Sequence, residues 1–252
     1  MELLIDIGNS RIKWAIYEET HLREHGAIPH RNNVRPLLQK LLIQHSTQRV
    51  IMVHVLGHDF EKNIIAYTQA HSIPLLIVHS HSCAYGIRTH YLQPQRLGAD
   101  RFVAMVAAYQ STQQHACIVI DCGTAVTIDA INPLGEHMGG MIYPGLQLCE
   151  DSLTQKAKNL KQLKSVNKAS MNPYARETMQ AIDSGCHYGL SAAIEGMCQM
   201  LERKLACKPQ KILCGGDSAV IYDLLPPRNY ILCTDLVIQG LKYIAHRTLT
   251  YN

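Results

Sequence analysis

The sequence predicts an α/β protein built from two copies of one domain plan, each a mixed sheet with helices on its faces. Three observations predict it. First, a short segment recurs: Ile5-Asp6-Ile7-Gly8-Asn9-Ser10 aligns with Ile120-Asp121-Cys122-Gly123-Thr124-Ala125, and the match continues as Ala15-Ile16 over Ala130-Ile131. Second, each copy reads as an apolar strand, a turn of small residues around glycine, and another strand, which is a hairpin. Third, apolar residues elsewhere recur with strand and helix periods in turn, the pattern of a mixed sheet with helical crossovers. The copies start about half of the 252 residues apart, as a duplicated domain requires.

The elements follow in order. Ile12, Trp14 and Ile16 alternate with Arg11, Lys13 and Ala15, so this stretch is a half-buried strand with the lone tryptophan in the core. Val34, Leu37, Leu38, Leu41 and Leu42 share one helical face, and a strand follows at 49–55. A helix is expected over 59–71, a strand at 75–78, and a helix from 100 to about 109. In the second half, a strand is expected at 136–143, helices over 146–160 and 175–205, a strand at 211–214 leading into Gly215-Gly216, and an amphipathic helix over 234–249. The polar, unpatterned stretch 110–115 is the best boundary, giving an N-terminal lobe 1–114 and a C-terminal lobe 115–252.

Composition excludes several classes. Hydrophobic residues make up 47% and charged residues 17%, an ordinary globular balance. The net charge of +4 needs no nucleic-acid partner, and Lys156, Lys158 and Lys161 read as a solvated helix face. The start, Met1-Glu2-Leu3-Leu4-Ile5-Asp6, has neither the basic residues nor the apolar run of an export signal. Nothing approaches the roughly 18 apolar residues of a membrane helix. The 9 cysteines are odd in number and lack a Cys-x-x-Cys pair, which fits reduced thiols and a cytoplasmic protein.

Three glycine-containing elements carry the chemistry. In Asp6-Ile7-Gly8-Asn9-Ser10-Arg11-Ile12-Lys13, a turn of small residues lets backbone N–H groups approach phosphate oxygens, Lys13 adds charge, and Asp6 at the strand end can hold a divalent cation. An ordinary hairpin turn accounts for the same residues. Asp121-Cys122-Gly123-Thr124-Ala125-Val126-Thr127 offers a second such turn with two hydroxyls, and Cys214-Gly215-Gly216-Asp217 joins a strand to a helix whose N-terminus favours an anion. Between the hairpins, Leu97-Gly98-Ala99-Asp100-Arg101 opens an apolar helix. Asp100 there is either a proton acceptor for an attacking hydroxyl or the helix cap, and Arg101 suits a carboxylate or phosphate. His79, His81, Cys83 and His90 crowd one segment without a legible ligand geometry. Cys122 has no base nearby and reads as a small structural residue.

The ordered trio of elements resembles the nucleotide site of the actin, Hsp70 and sugar-kinase superfamily, which implies two actin-like (ribonuclease H-like) lobes with a nucleotide in the cleft. More specifically, the sequence resembles the type III pantothenate kinases. That resemblance rests on Asp6-x-Gly8-Asn9-Ser10 with Lys13, Tyr91-x-x-Pro94, Gly98-Ala99-Asp100-Arg101, Asp121-x-Gly123-Thr124-Ala125-x-Thr127, Gly139-Gly140-Met141-Ile142-x-Pro144-Gly145, Thr178-x-x-Ala181-Ile182-x-Ser184-Gly185 and Gly215-Gly216. It implies transfer of the γ-phosphate of ATP, with Mg²⁺, to pantothenate, the first step of coenzyme A synthesis.

By this resemblance Asp100 is the general base, and Tyr91, Gly98, Ala99, Asp100 and Arg101 line the pantothenate pocket. Asp6, Ile7, Gly8, Asn9, Ser10, Arg11, Ile12, Lys13 and Thr124 contact ATP. Asp121 ligates a monovalent cation, K⁺ or NH₄⁺. Thr178 completes the pantothenate site of the partner subunit in a homodimer. Ser10 and Cys214 stand where the family commonly has threonine. Two alternatives remain open: a kinase for another small hydroxylated substrate, and a non-catalytic accessory factor of the same fold.

Overall fold

Period-2 alternation builds the first hairpin. In the computed structural model, which describes residues 1–30, 33–44, 47–156 and 172–249, β1 (Glu2–Ile7) and β2 (Arg11–Glu18) pair antiparallel, with Ile5 opposite Trp14 and Ile7 opposite Ile12. Ile12, Trp14 and Ile16 are buried together with Leu3, Ile5 and Ile7, so the alternation marks a true core face. β3 (His21–Pro29) adds to β2 as an edge strand, mostly exposed and carrying Arg23 and Glu24, whose charges discourage pairing with other chains.

The chain then crosses through α1 (Val34–Gln44) to β4 (Arg49–His54), and through α2 (His58–Ala70) to β5 (Leu75–Ile77). Both β4 and β5 run parallel to their neighbours, and the sheet order is β3-β2-β1-β4-β5. Val34, Leu38, Leu41 and Leu42 of α1 and Ile64 of α2 close the core on one face. A small hairpin, β6 (Cys83–Ala84) and β7 (Ile87–Thr89), and a 3-10 turn at Pro94–Arg96 lead into α3 (Ala99–Ser111).

The second half repeats the plan. β8 (Cys117–Cys122), β9 (Ala125–Ile131) and β10 (Glu136–Pro144) form an antiparallel meander. After α4 (Leu146–Lys156) and α5 (Thr178–Leu205) come β11 (Gln210–Cys214), α6 (Ser218–Tyr222) and β12 (Tyr230–Leu232), with β11 parallel to both β8 and β12. Read as β10-β9-β8-β11-β12, this order matches β3-β2-β1-β4-β5 strand for strand in direction. Ile118, Ile120, Ile128, Leu190, Ile194 and Leu213 are among the residues that fill its core.

One detail of the repeat needs correcting. Ile7 pairs with Ile12, whereas Cys122 pairs with Val126, so the second turn is one residue shorter. Ala15 faces Leu4 while Ala130 faces Ile118, and the ungapped match of Ala15-Ile16 to Ala130-Ile131 therefore slips by one position after the turn.

The final helix, α7 (Leu236–Leu249), is a second correction. The chain divides into unit 1, Met1–Gln113 with the stretch from Asp235 onward, and unit 2, Gln114–Thr234. A C-terminal lobe of 115–252 thus assigned this helix to the wrong half. Amphipathic spacing shows that one face is buried but not which sheet buries it. Leu241, Ile244 and Ala245 are fully buried, and Gly240 lets the helix meet α3 so closely that an added Cβ would lie 2.3 Å from the Val103 carbonyl oxygen. Arg49 Nη2 also donates to Thr248 Oγ1 at 2.7 Å, tying the helix to β4. Lys158 and Lys161, the side chain of Lys156 and the expected end of the helix over 146–160 lie outside the described residues.

Candidate functional site

In unit 1 the first turn is held shut by one backbone bond, Gly8 N–H to the Arg11 carbonyl at 3.1 Å. Asn9, Ser10 and Arg11 are exposed, while Asp6 is buried at the strand end with Lys13 opposite it. Gly8 is not in the left-handed region, and a Cβ there would come no closer to protein than 3.7 Å. The same holds for Gly123 in the second turn, where the nearest atom would be at 3.6 Å. Neither turn therefore needs glycine for its backbone angles; the bare Cα leaves the outer surface open to a ligand.

A residue with no sequence signal braces this turn. His30 is buried, its Nε2 donates to the Gly8 carbonyl at 3.0 Å, and its backbone N–H donates to the Ser10 carbonyl at 3.2 Å. A carbonyl can only accept, so the proton is on Nε2. A lone histidine at the end of an unpatterned edge strand gives no hint of this, because its partners lie 22 and 20 positions earlier.

The segment from Tyr91 to Arg101 is also in unit 1. Tyr91 N–H donates to Thr89 Oγ1 at 3.1 Å and Ser80 Oγ donates to the Leu97 carbonyl at 2.7 Å, so both ends of the loop are fixed. Gly98, not Asp100, is the N-cap of α3, in an extended conformation. Asp100 is the second helical residue, and its Oδ1 accepts from the Arg101 N–H at 2.8 Å. A Cβ on Gly98 would stand 2.6 Å from that same Oδ1, so glycine is what lets the carboxylate fold back over the helix start. Arg101 is buried, yet Nη1 donates to Tyr91 Oη at 3.1 Å and the guanidinium carbon lies 5.7 Å from the Tyr91 ring centre. An aromatic hydroxyl, a fixed guanidinium and a half-buried carboxylate thus sit on one short segment, equipped to hold an acidic substrate and accept a proton.

In unit 2 the second turn closes by Gly123 N–H to the Ala125 carbonyl at 3.2 Å, with Thr124 exposed at its tip. Two other loops pack against it. Gly145 N–H donates to the Thr124 carbonyl at 3.1 Å, and a Cβ there would lie 2.2 Å from the Gly123 oxygen. Gly215 has φ +97°, a left-handed conformation, and its Cβ would lie 2.4 Å from both Asp121 Oδ1 and the Cys122 carbonyl oxygen. Asp217 N–H then donates to the Cys122 carbonyl at 3.0 Å, and buried Ser218 donates to the Gly215 carbonyl at 2.7 Å. Gly145 and Gly215 thus both pack against the Asp121–Thr124 turn. Cys122 is fully buried, and burial beside the Asp121 and Asp217 carboxylates pushes its thiol far up, so it is not a nucleophile.

The remaining candidates fall elsewhere. Thr178 is the exposed first residue of α5 in unit 2. His79 faces Glu61 at 3.5 Å, and His81 stands edge-on to Phe102 with ring centres 6.1 Å apart. Among the described residues, no group of three or more His, Cys, Asp or Glu side chains is placed to hold a metal ion. No described helix is long and apolar enough to cross a membrane.

Comparison with known proteins shows the family and the fold. The family model for type III pantothenate kinase matches residues 2–200. A type III pantothenate kinase of Herminiimonas arsenicoxydans is 34% identical over 99% of this chain and 99% of its own length. Among solved structures, a Baf-family protein of Campylobacter jejuni superimposes with a TM-score of 0.64 at 17% identity, covering 98% of this chain and 99% of the other. MreB 5 of Spiroplasma citri, solved with AMPPNP, gives a TM-score of 0.55 at 11% identity over 100% of this chain and 97% of the other. The fold is the actin-like one.

Proposed function

The chain belongs to the type III pantothenate kinase family, and from this premise we propose how its residues carry out the ATP-dependent phosphorylation of pantothenate in coenzyme A biosynthesis. The observation that carries the acceptor site is the Arg101–Tyr91 pair beside Asp100. Arg101, already oriented by Tyr91, binds the pantothenate carboxylate as a paired, partly desolvated charge. Asp100 then accepts the proton of the pantothenate hydroxyl as its oxygen attacks the γ-phosphorus, and ADP leaves with the bridging oxygen. Fixing the carboxylate through the Arg101 N–H spends no binding energy on orienting it later.

The Asp6–Lys13 turn of unit 1 presents its open backbone and the Lys13 charge to ATP phosphates, and Thr124 of unit 2 offers a hydroxyl and N–H to ATP. The donor sets fit the two cations of this reading. Asp6 offers a single carboxylate, which suits Mg²⁺ that takes its other ligands from water and phosphates. Asp121 Oδ1 and the Cys122 carbonyl oxygen both lie close to Gly215, and carboxylate and carbonyl oxygens of this kind are the donors a hard monovalent cation such as K⁺, or NH₄⁺ as a hydrogen-bond donor, would take. Bound there, such cations would neutralise charge between carboxylate and phosphate.

A homodimer belongs to the same proposal. Thr178 is exposed, as a residue serving a neighbour's site must be, and unit 2 exposes Ile142, Tyr143, Leu148, Leu153 and Tyr188, apolar surface that a partner would cover. A cytoplasmic location is in keeping with described cysteines that form no disulfide. The test is phosphoryl transfer from labelled ATP by pure protein to a panel of acceptors, with and without potassium. Labelled 4'-phosphopantothenate with no transfer to sugars is expected, and transfer only to another acceptor would replace pantothenate.

A further inference from the structure

We infer that His30 is a positioning residue for the first phosphate turn, holding the Gly8 and Ser10 carbonyls away from the nucleotide so that the N–H groups not used in closing the turn are left to meet phosphate. This rests on the ATP reading of that turn. A turn can bind phosphate only if its carbonyl oxygens, each carrying partial negative charge, point elsewhere. Gly8 and Ser10 both direct their carbonyls to His30, one to Nε2 at 3.0 Å and the other to the backbone N–H at 3.2 Å. His30 is only 2% exposed, so both carbonyls point into the protein while Asn9, Ser10 and Arg11 remain open to solvent.

The brace is itself anchored. His30 follows directly on β3, whose Pro29 is opposite Arg11, and its carbonyl accepts from Asn33 N–H at 2.5 Å just before α1. A backbone N–H alone would leave the Gly8 carbonyl without this buried donor, and the turn would then relax toward conformations that expose it. His30 touches neither substrate, so its effect must reach the reaction through nucleotide affinity.

The test compares His30→Ala and His30→Gln with wild type, measuring melting temperature, AMPPNP affinity, and KM for ATP and for pantothenate. Glutamine can place an N–H near the position of Nε2. His30→Ala is expected to raise KM for ATP and weaken AMPPNP about 3- to 10-fold, the range of one net hydrogen bond, with KM for pantothenate unchanged. His30→Gln is expected to recover most of that loss. Wild-type nucleotide affinity in a folded His30→Ala protein overturns the inference, and so does equal damage to both KM values or no rescue by glutamine. If His30→Ala does not fold, ¹⁵N-labelled histidine in the wild-type protein decides. A His30 ring protonated at Nε2 that shifts on adding AMPPNP supports the role, and an Nδ1–H ring or an unmoved signal overturns it. The arms keep the two readings apart, since a wild-type protein that binds AMPPNP but makes no phosphopantothenate defeats the kinase assignment and leaves this inference to the binding data.

Discussion

Replacing Gly215 by alanine should damage fold and site together. Gly215 stands at φ +97°, and the new methyl would lie 2.4 Å from Asp121 Oδ1 and from the Cys122 carbonyl oxygen. Two costs add. Left-handed backbone costs a residue with a Cβ about 1–2 kcal/mol. Opening a contact that is about 1 Å too short costs about 1–3 kcal/mol more, because the carbonyl belongs to a paired strand and cannot swing away. The sum, about 2–5 kcal/mol, lowers the melting temperature of a chain this size by roughly 5–15 °C. Turnover should fall as well, since the displaced carboxylate is the one assigned to the monovalent cation. Thermal melting and steady-state kinetics read both effects. Gly196→Ala is the control: Gly196 is exposed on α5 with nothing within 4 Å of an added Cβ, so it should gain about 0.5–1 kcal/mol. A Gly215→Ala protein that melts within about 2 °C of wild type and keeps its turnover would refute the packing argument.

Gly8→Ala should behave in the opposite way, because its Cβ meets no protein atom within 3.7 Å: melting unchanged, with kcat/KM for ATP down about 10- to 100-fold if phosphate is pushed out of place, and an unaltered ATP dependence would remove the turn from the nucleotide site. Asp121→Ala should be nearly inactive and indifferent to potassium, while the wild type should lose most activity when potassium is replaced by a large organic cation; potassium-independent wild-type activity would contradict the cation assignment. Mixing Asp100→Asn chains with Thr178→Ala chains should create hybrid sites carrying both native residues, so activity above either parent is expected once subunits exchange, and an active monomer by sedimentation would rule out sharing.

Both hairpins were legible in the sequence because their signals are local. The alternation of Ile12, Trp14 and Ile16 marks a strand by itself, and Asp-x-Gly marks the turn before it. The contributions that escaped depend on approach between distant segments. His30 reaches back to Gly8 through an edge strand whose exposed residues carry no pattern. The spacing of α7 revealed a buried face but not that Gly240 seats it on Val103 in unit 1. Asp100 looked like a cap because aspartate favours that position, yet the chain ends its extended run at Gly98 and places the carboxylate inside the first turn. The repeat was visible at the turns and blurred after them, since a turn shorter by one residue shifts every later match.

The proposed mechanism requires Asp100 to serve as the base for pantothenate. The direct measurement is formation of 4'-phosphopantothenate from ATP, identified by mass, for wild type and Asp100→Asn at saturating substrates, with AMPPNP affinity measured on both. Asp100→Asn keeps the shape of the side chain and an oxygen for the Arg101 N–H, so folding and nucleotide binding should persist while kcat drops about 10²- to 10⁴-fold. Near wild-type turnover in that variant would contradict the mechanism and return Asp100 to a purely structural place at the start of α3.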